Sequence, residues 1–134
     1  MDKELGESLH IYFNSDSYIR YLEKQVSLLD KQIDSREKKC ASASCSPELI
    51  ELLNNIIVDK KIFKERTLAK LSIVKEHKKS MELKLSELTD KQIQILKYRY
   101  KDGYTDKEIG AVMSLSQSGV NRIRNKVLKQ IQAA

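Results

Sequence analysis

The sequence predicts an all-α protein, in which an N-terminal antiparallel helical hairpin, coiled-coil-like, is followed by a C-terminal three-helix unit of helix-turn-helix type. Three observations carry this expectation. The 134 residues include one Pro and four Gly, and none of these lies between Glu48 and Asp102, as expected of long uninterrupted helices. Apolar residues recur at spacings of three and four rather than alternating. Charged residues make up 33% of the chain against 40% hydrophobic, with six Tyr, two Phe and no Trp, a balance suited to helices that bury one stripe rather than to a thick core.

The first helix is expected from Ser15, where Ile19, Leu22, Val26, Leu29 and Ile33 follow one another at spacings of 3, 4, 3 and 4. That is the seam of a helix with a single apolar stripe. The stretch SREKKCASASC loses the pattern, and SPEL restarts it with Ser46 as N-cap and Pro47 at the first helical position, where its missing N–H costs nothing. The second helix opens with Leu49, Ile50, Leu52, Leu53, Ile56, Ile57 and Val58 and continues through Phe63, Leu71, Val74, Met81 and Leu85. At 1.5 Å per residue, helices of about 24 and about 40 residues are roughly 36 and 60 Å long, so the second outreaches the first. Val74, Met81 and Leu85 are therefore expected to need another surface, either the C-terminal unit or a second protomer. A homodimer is favoured, because two weakly binding modules gain from being linked. The division expected from this reading is a helical hairpin over 1–87 and a separate three-helix unit over 88–134.

In the C-terminal part, Thr89 with Gln92 and Thr105 with Glu108 form two capping boxes, each opening a helix. Gly103 stands just past the first of these helices, where the left-handed conformation ends it. Helices are expected at about 90–101, 106–113 and 117–131 on these signals. Ile109, Met113, Leu115, Val120 and Ile123 are spaced to close the last two onto one small core. Gly110 lets the backbones approach, and Ser116 can cap the last helix. Ser114 occupies the turn position where Gly is usual.

Charge is concentrated at this end. Residues 1–46 hold 7 Lys and Arg against 8 Asp and Glu, residues 47–87 hold 9 against 7, and residues 88–134 hold 9 against 4. A basic third on a small helical unit is the footprint of a polyanion partner. With Val120, Ile123, Val127, Leu128 and Ile131 turned inward, the outward face of the last helix is Gln117, Ser118, Asn121, Arg122, Asn125 and Lys126, and no acid occurs after Glu108. Asn and Gln can pair bidentately with adenine, Arg with guanine, and Lys or Ser with phosphate.

The segment LTDKQIQILKYRYKDGYTDKEIGAVMSLSQSGVNRIRNKVLKQI resembles region 4 of the sigma-70 family, the part that reads the −35 promoter element. With a helical hairpin before it, the arrangement is similar to small phage-encoded sigma-like regulators of late genes, the ArpU and RinA types. The resemblance implies a sequence-specific transcription regulator that binds double-stranded DNA and contacts RNA polymerase as region 4 does. It places Gln117, Ser118, Asn121, Arg122 and Asn125 at or near base-contacting positions and Lys107 and Lys126 at phosphates; Ser116 and Arg124 complete the candidate DNA-binding set. The aromatic-rich block with which a full sigma factor captures melted −10 DNA has no counterpart here. LuxR-type regulators carry a similar unit, but nothing upstream resembles a receiver domain.

The alternative is a DNA-packaging component like a phage small terminase subunit, which also joins a helix-turn-helix to oligomerising helices. In those proteins the DNA-binding unit commonly comes first, whereas here it comes last. An enzyme is not expected, since His10 and His77 are the only two histidines and there is no Gly-rich phosphate loop and no nucleophile beside a base. No cofactor or metal is expected either: Cys40 and Cys45, with the four residues ASAS between them, lack the partners for a tetrahedral zinc site and are expected to be free thiols in a loop. The acidic N-terminus has no secretory signature and no window approaches 18 apolar residues, so the expected location is cytoplasmic, with no membrane partner.

Overall fold

A computed structural model describes residues 2–42 and 44–133. Six helices follow in order: α1 Asp2–Phe13, α2 Ser15–Cys40, α3 Pro47–Leu85, α4 Asp90–Tyr100, α5 Asp106–Met113 and α6 Gln117–Ala133. Among the described residues there is no strand and no helix long and apolar enough to cross a membrane. The chain forms two compact units, Ser17–Lys75 and residues 2–16 together with 76–133. Packing therefore does not divide the chain at 87/88: the end of α3 belongs with α4–α6, and so does α1.

The unit Ser17–Lys75 is the expected hairpin. Ile19 and Leu22 of α2 pack with Leu71 and Val74 of α3. Further along, Lys60 donates to Gln32 at 2.9 Å, and Asp30 and Glu37 pair with Lys64 and Lys61. As α2 advances its partners on α3 recede, so the two helices run antiparallel. Leu22, Leu29 and Ile33 of the seam are buried, as are Leu53, Ile57 and Leu71 opposite, while Val26 is half-buried. The ion pairs are solvent-exposed and contribute little individually; the apolar stripe does the holding. Val74 does not lie beyond the reach of α2, because that helix begins early enough for Ile19 and Leu22 to meet it. At the start of α3 the Leu49 N–H donates to Ser46 Oγ at 3.2 Å, the expected cap, with Pro47 in the first turn. Both cysteines are free thiols. Cys40 closes α2 rather than lying in the connection, and Cys45 donates to the Lys39 carbonyl at 2.9 Å.

The second unit contains a helix absent from the sequence-based expectation. In α1, Leu5, Leu9 and Tyr12 fall at i, i+4 and i+7 on one face, with Phe13 beside them. Asn14 stops the helix, its side-chain amide donating to the His10 carbonyl at 2.8 Å, and the buried Ser15 hydroxyl donates back to the Tyr12 carbonyl at 2.6 Å. Leu9 is 0% exposed and shares one core with Met81 and Leu85 of α3, Leu88, Leu96 of α4, and Val127, Leu128 and Ile131 of α6. Leu5, Tyr12 and Phe13 pack on its edge. Two imidazoles pin α1 through backbone: His10 Nδ1–H donates to the Tyr100 carbonyl at 2.8 Å and His77 Nε2–H to the Ser8 carbonyl at 3.0 Å. Gly6 lies against the Tyr100 ring, where a Cβ would stand 3.0 Å from Cε1. Met81 and Leu85 are thus covered within the chain, and of the two covers expected for them a second protomer is not required.

Candidate nucleic-acid interface

Local chemistry sets each of the three C-terminal helices. Thr89 and Thr105 accept from the backbone N–H groups of Gln92 and Glu108, whose side chains reach back to the two threonine N–H groups at 2.9 and 3.2 Å, so both capping boxes are complete. Gly103, at φ 72°, ends the α4 turn. Between α5 and α6, Ser114 is in the left-handed region at φ 59° and ψ 43°, costing about 1 kcal/mol for a residue with a Cβ. The turn compensates: the Leu115 N–H donates to the Gly110 carbonyl at 2.8 Å. Ser116 Oγ accepts from the Gly119 N–H at 3.0 Å, the expected cap of α6.

A small core clamps this turn. Ile95, Ile109 and Val120 are buried together, with Met113, Leu115, Ile123 and the stacked pair Tyr98 and Tyr104 around them. Gly110 is where α5 meets the turn most closely, since a Cβ there would stand 2.5 Å from the Leu115 carbonyl oxygen. Val120, Val127, Leu128 and Ile131 of α6 are buried and Ile123 partly so. With that side committed, Gln117, Ser118, Asn121, Arg122, Asn125 and Lys126 are all exposed, and Lys107 is exposed in the first turn of α5. Ser116 is exposed too, but its hydroxyl is occupied by the cap and lies 3.3 Å from Ser118 Oγ.

Arg124 is placed differently from its neighbours. Its side chain is only 14% exposed and forms a two-point ion pair with Asp106, Nε to Oδ1 and Nη2 to Oδ2, both at 3.1 Å. Asp106, 13% exposed, also accepts from Asn121 Nδ2 at 3.2 Å, and Asn125 Nδ2 in turn donates to Asn121 Oδ1 at 3.0 Å. Sequence reading had no place for Asp106. The residue stands 18 positions before Arg124, and only the turn of the helix-turn-helix brings the start of α5 across α6. The Arg124 guanidinium holds the Asp106 carboxyl below the usual carboxylate range, with help from the Asn121 amide, while burial pushes the other way.

A group whose pKa is lowered on folding stabilises the fold fully above its unfolded value and ceases to as pH falls through the folded one. Asp106→Ala is therefore expected to cost about 1–3 kcal/mol at neutral pH. The gap from wild type should close only below about pH 4, near the ordinary aspartate value. Thermal melts across that range check it; a gap that closes already at pH 6 would mean that another group is responsible.

Residues 85–133 match the family model for sigma-70, region 4. The match runs from the last residue of α3 through α6 and leaves α1, α2 and nearly all of α3 outside it. No curated protein and no solved structure matches the chain. This segment is a sigma-70 region 4-like helix-turn-helix, a DNA-binding type of domain connected with transcription, and the fold built from its caps, turn and core agrees with that.

Proposed function

We propose that the protein is a sequence-specific transcription regulator that reads promoter DNA by laying α6 in the major groove. The observation that carries this is the solvent face of α6. Six polar or basic side chains from Gln117 to Lys126 are exposed on a helix whose opposite side is buried, and no acidic residue follows Glu108. Asn121, Arg122 and Asn125 occupy the middle of that face, where a recognition helix meets base edges. Lys107 and Lys126 flank it as phosphate contacts, and Arg124 acts from behind through Asp106.

The region 4 match supports RNA polymerase as a second partner and, with the hairpin upstream, a phage or prophage setting. The hairpin supports pairing with a second copy, because Tyr21 and Leu28 on α2 and Leu52, Phe63 and Ile73 on α3 stay about half exposed or more although the seam between the helices is filled. A packaging role would need oligomerisation too. It differs in requiring no discrimination between promoter and random duplex.

The test is a pair of substitutions measured over a range of salt. Arg122→Ala is expected to cost about 1–3 kcal/mol on a selected site and to relax preference at one position. Lys126→Ala should weaken all duplexes alike and reduce the salt slope by about one. If both variants bind as wild type does, α6 is not the reading helix; equal binding to every duplex by wild type would favour packaging.

A further inference from the structure

We infer that Asp106, which does not belong to the exposed face, determines base preference by fixing the polarity of the Asn121 and Asn125 amides. The inference rests on α6 being the reading helix. A side-chain amide has a donor end and an acceptor end of nearly the same shape, and which end points where is decided by its hydrogen-bond partners. An ionised carboxylate can only accept. Asp106 Oδ2, 3.2 Å from the Asn121 amide, therefore forces the nitrogen of Asn121 toward itself and leaves Asn121 Oδ1 as an acceptor. That oxygen in turn requires the nitrogen of Asn125, 3.0 Å away.

The order passes along the chain, so Asn125 is left with an unengaged Oδ1 and one remaining N–H in a defined arrangement. This is the acceptor and donor pair that matches the N6–H and N7 edge of adenine. A flip of the amide would exchange donor and acceptor at the same points in space, so a base edge that fits one polarity is opposed by the other. Arg124 keeps the device in place from the buried side. Its two bonds occupy one edge of the carboxylate and hold the plane of Asp106 against α6.

Asp106→Asn separates this role from a structural one, because the substitution keeps the shape but supplies a donor, so the polarity of Asn121 is no longer imposed. It also removes a negative charge near the DNA, which by itself would tighten binding to every duplex. Sequences are selected from a randomised duplex library by wild-type protein and by the variant, with melting curves for both. The expected result is a variant that is folded, binds random duplex at least as well as wild type, and loses about tenfold of its preference for the selected site, concentrated at one or two adjacent base pairs. Unchanged preference in a folded variant overturns the inference.

Should Asp106→Asn fail to fold, Asn121→Ala cuts the chain at an exposed position and leaves the ion pair intact. It is expected to lower preference at the base pair that Asn125→Ala also affects, and independent losses at separate base pairs overturn the inference. A wild-type protein that selects no sequence defeats the reading of α6 itself, an outcome distinct from a variant that selects the same site as wild type.

Discussion

Leu9→Asp is expected to unfold the helix-turn-helix unit and abolish DNA binding, although Leu9 lies about eighty residues before the first of the three helices in question. Its side chain is 0% exposed and belongs to one core with Met81, Leu85, Leu88, Leu96, Val127, Leu128 and Ile131. Removing a buried leucine side chain costs about 2–5 kcal/mol through lost transfer energy and the cavity left behind. Placing a carboxylate in the same apolar site adds several more unless it is protonated. Against a total stability of about 5–15 kcal/mol for a typical domain, that is enough to populate the unfolded state heavily. Leu9→Met, which conserves volume, should cost less than about 1.5 kcal/mol. Circular-dichroism melts and binding to a fixed duplex read both variants. Residues 88–134 alone are expected to fold poorly, since Leu9, Met81 and Leu85 of this core are missing from them. A Leu9→Asp protein that melts and binds like wild type would show that α1 is dispensable to the unit.

Gly110→Ala is expected to have the next largest effect. A Cβ at this position would stand 2.5 Å from the backbone oxygen of Leu115 and 3.4 Å from its carbonyl carbon. No rotamer change can relieve a clash with main chain, so α5 and the turn must separate. Separation weakens the bond from the Leu115 N–H to the Gly110 carbonyl and loosens the core of Ile95, Ile109 and Val120. The cost of such overpacking is about 1–3 kcal/mol, and it falls on the joint that aims α6. DNA affinity should therefore fall by more than the loss in stability alone explains, while helix content is largely kept. Gly119→Ala provides the contrast. Its Cβ would meet Ser116 Oγ at 2.9 Å, a side chain that can rotate away, so the expected loss is that of one N-cap, about 1 kcal/mol. Equal effects of the two substitutions on melting temperature and on DNA binding would show that the approach at Gly110 is not the critical one.

The sequence by itself determined whatever depends on residues three or four apart. Both capping boxes, the Ser46 and Ser116 caps, the turn at Gly103 and the bounds of α4, α5 and α6 to within a residue or two follow from side chains that bond to their own backbone neighbourhood. The seam from Ile19 to Ile33 and the two faces of α6 follow from helical periodicity in the same way. The tertiary structure decided what depends on residues far apart in the chain. Nothing near Leu5, Leu9 and Tyr12 marks their stripe as a core element, because the side chains that bury it come from Met81 onward. Val74 could be assigned to its partner only once the start of α2 was seen opposite it. Arg124 reads as one more basic residue of an exposed face until α5 is laid across α6 and Asp106 withdraws it from solvent. Hydrogen bonds within a turn of helix are encoded where they form, but the burial of a side chain depends on which distant segment arrives to cover it, and here that segment is the opening helix of the chain.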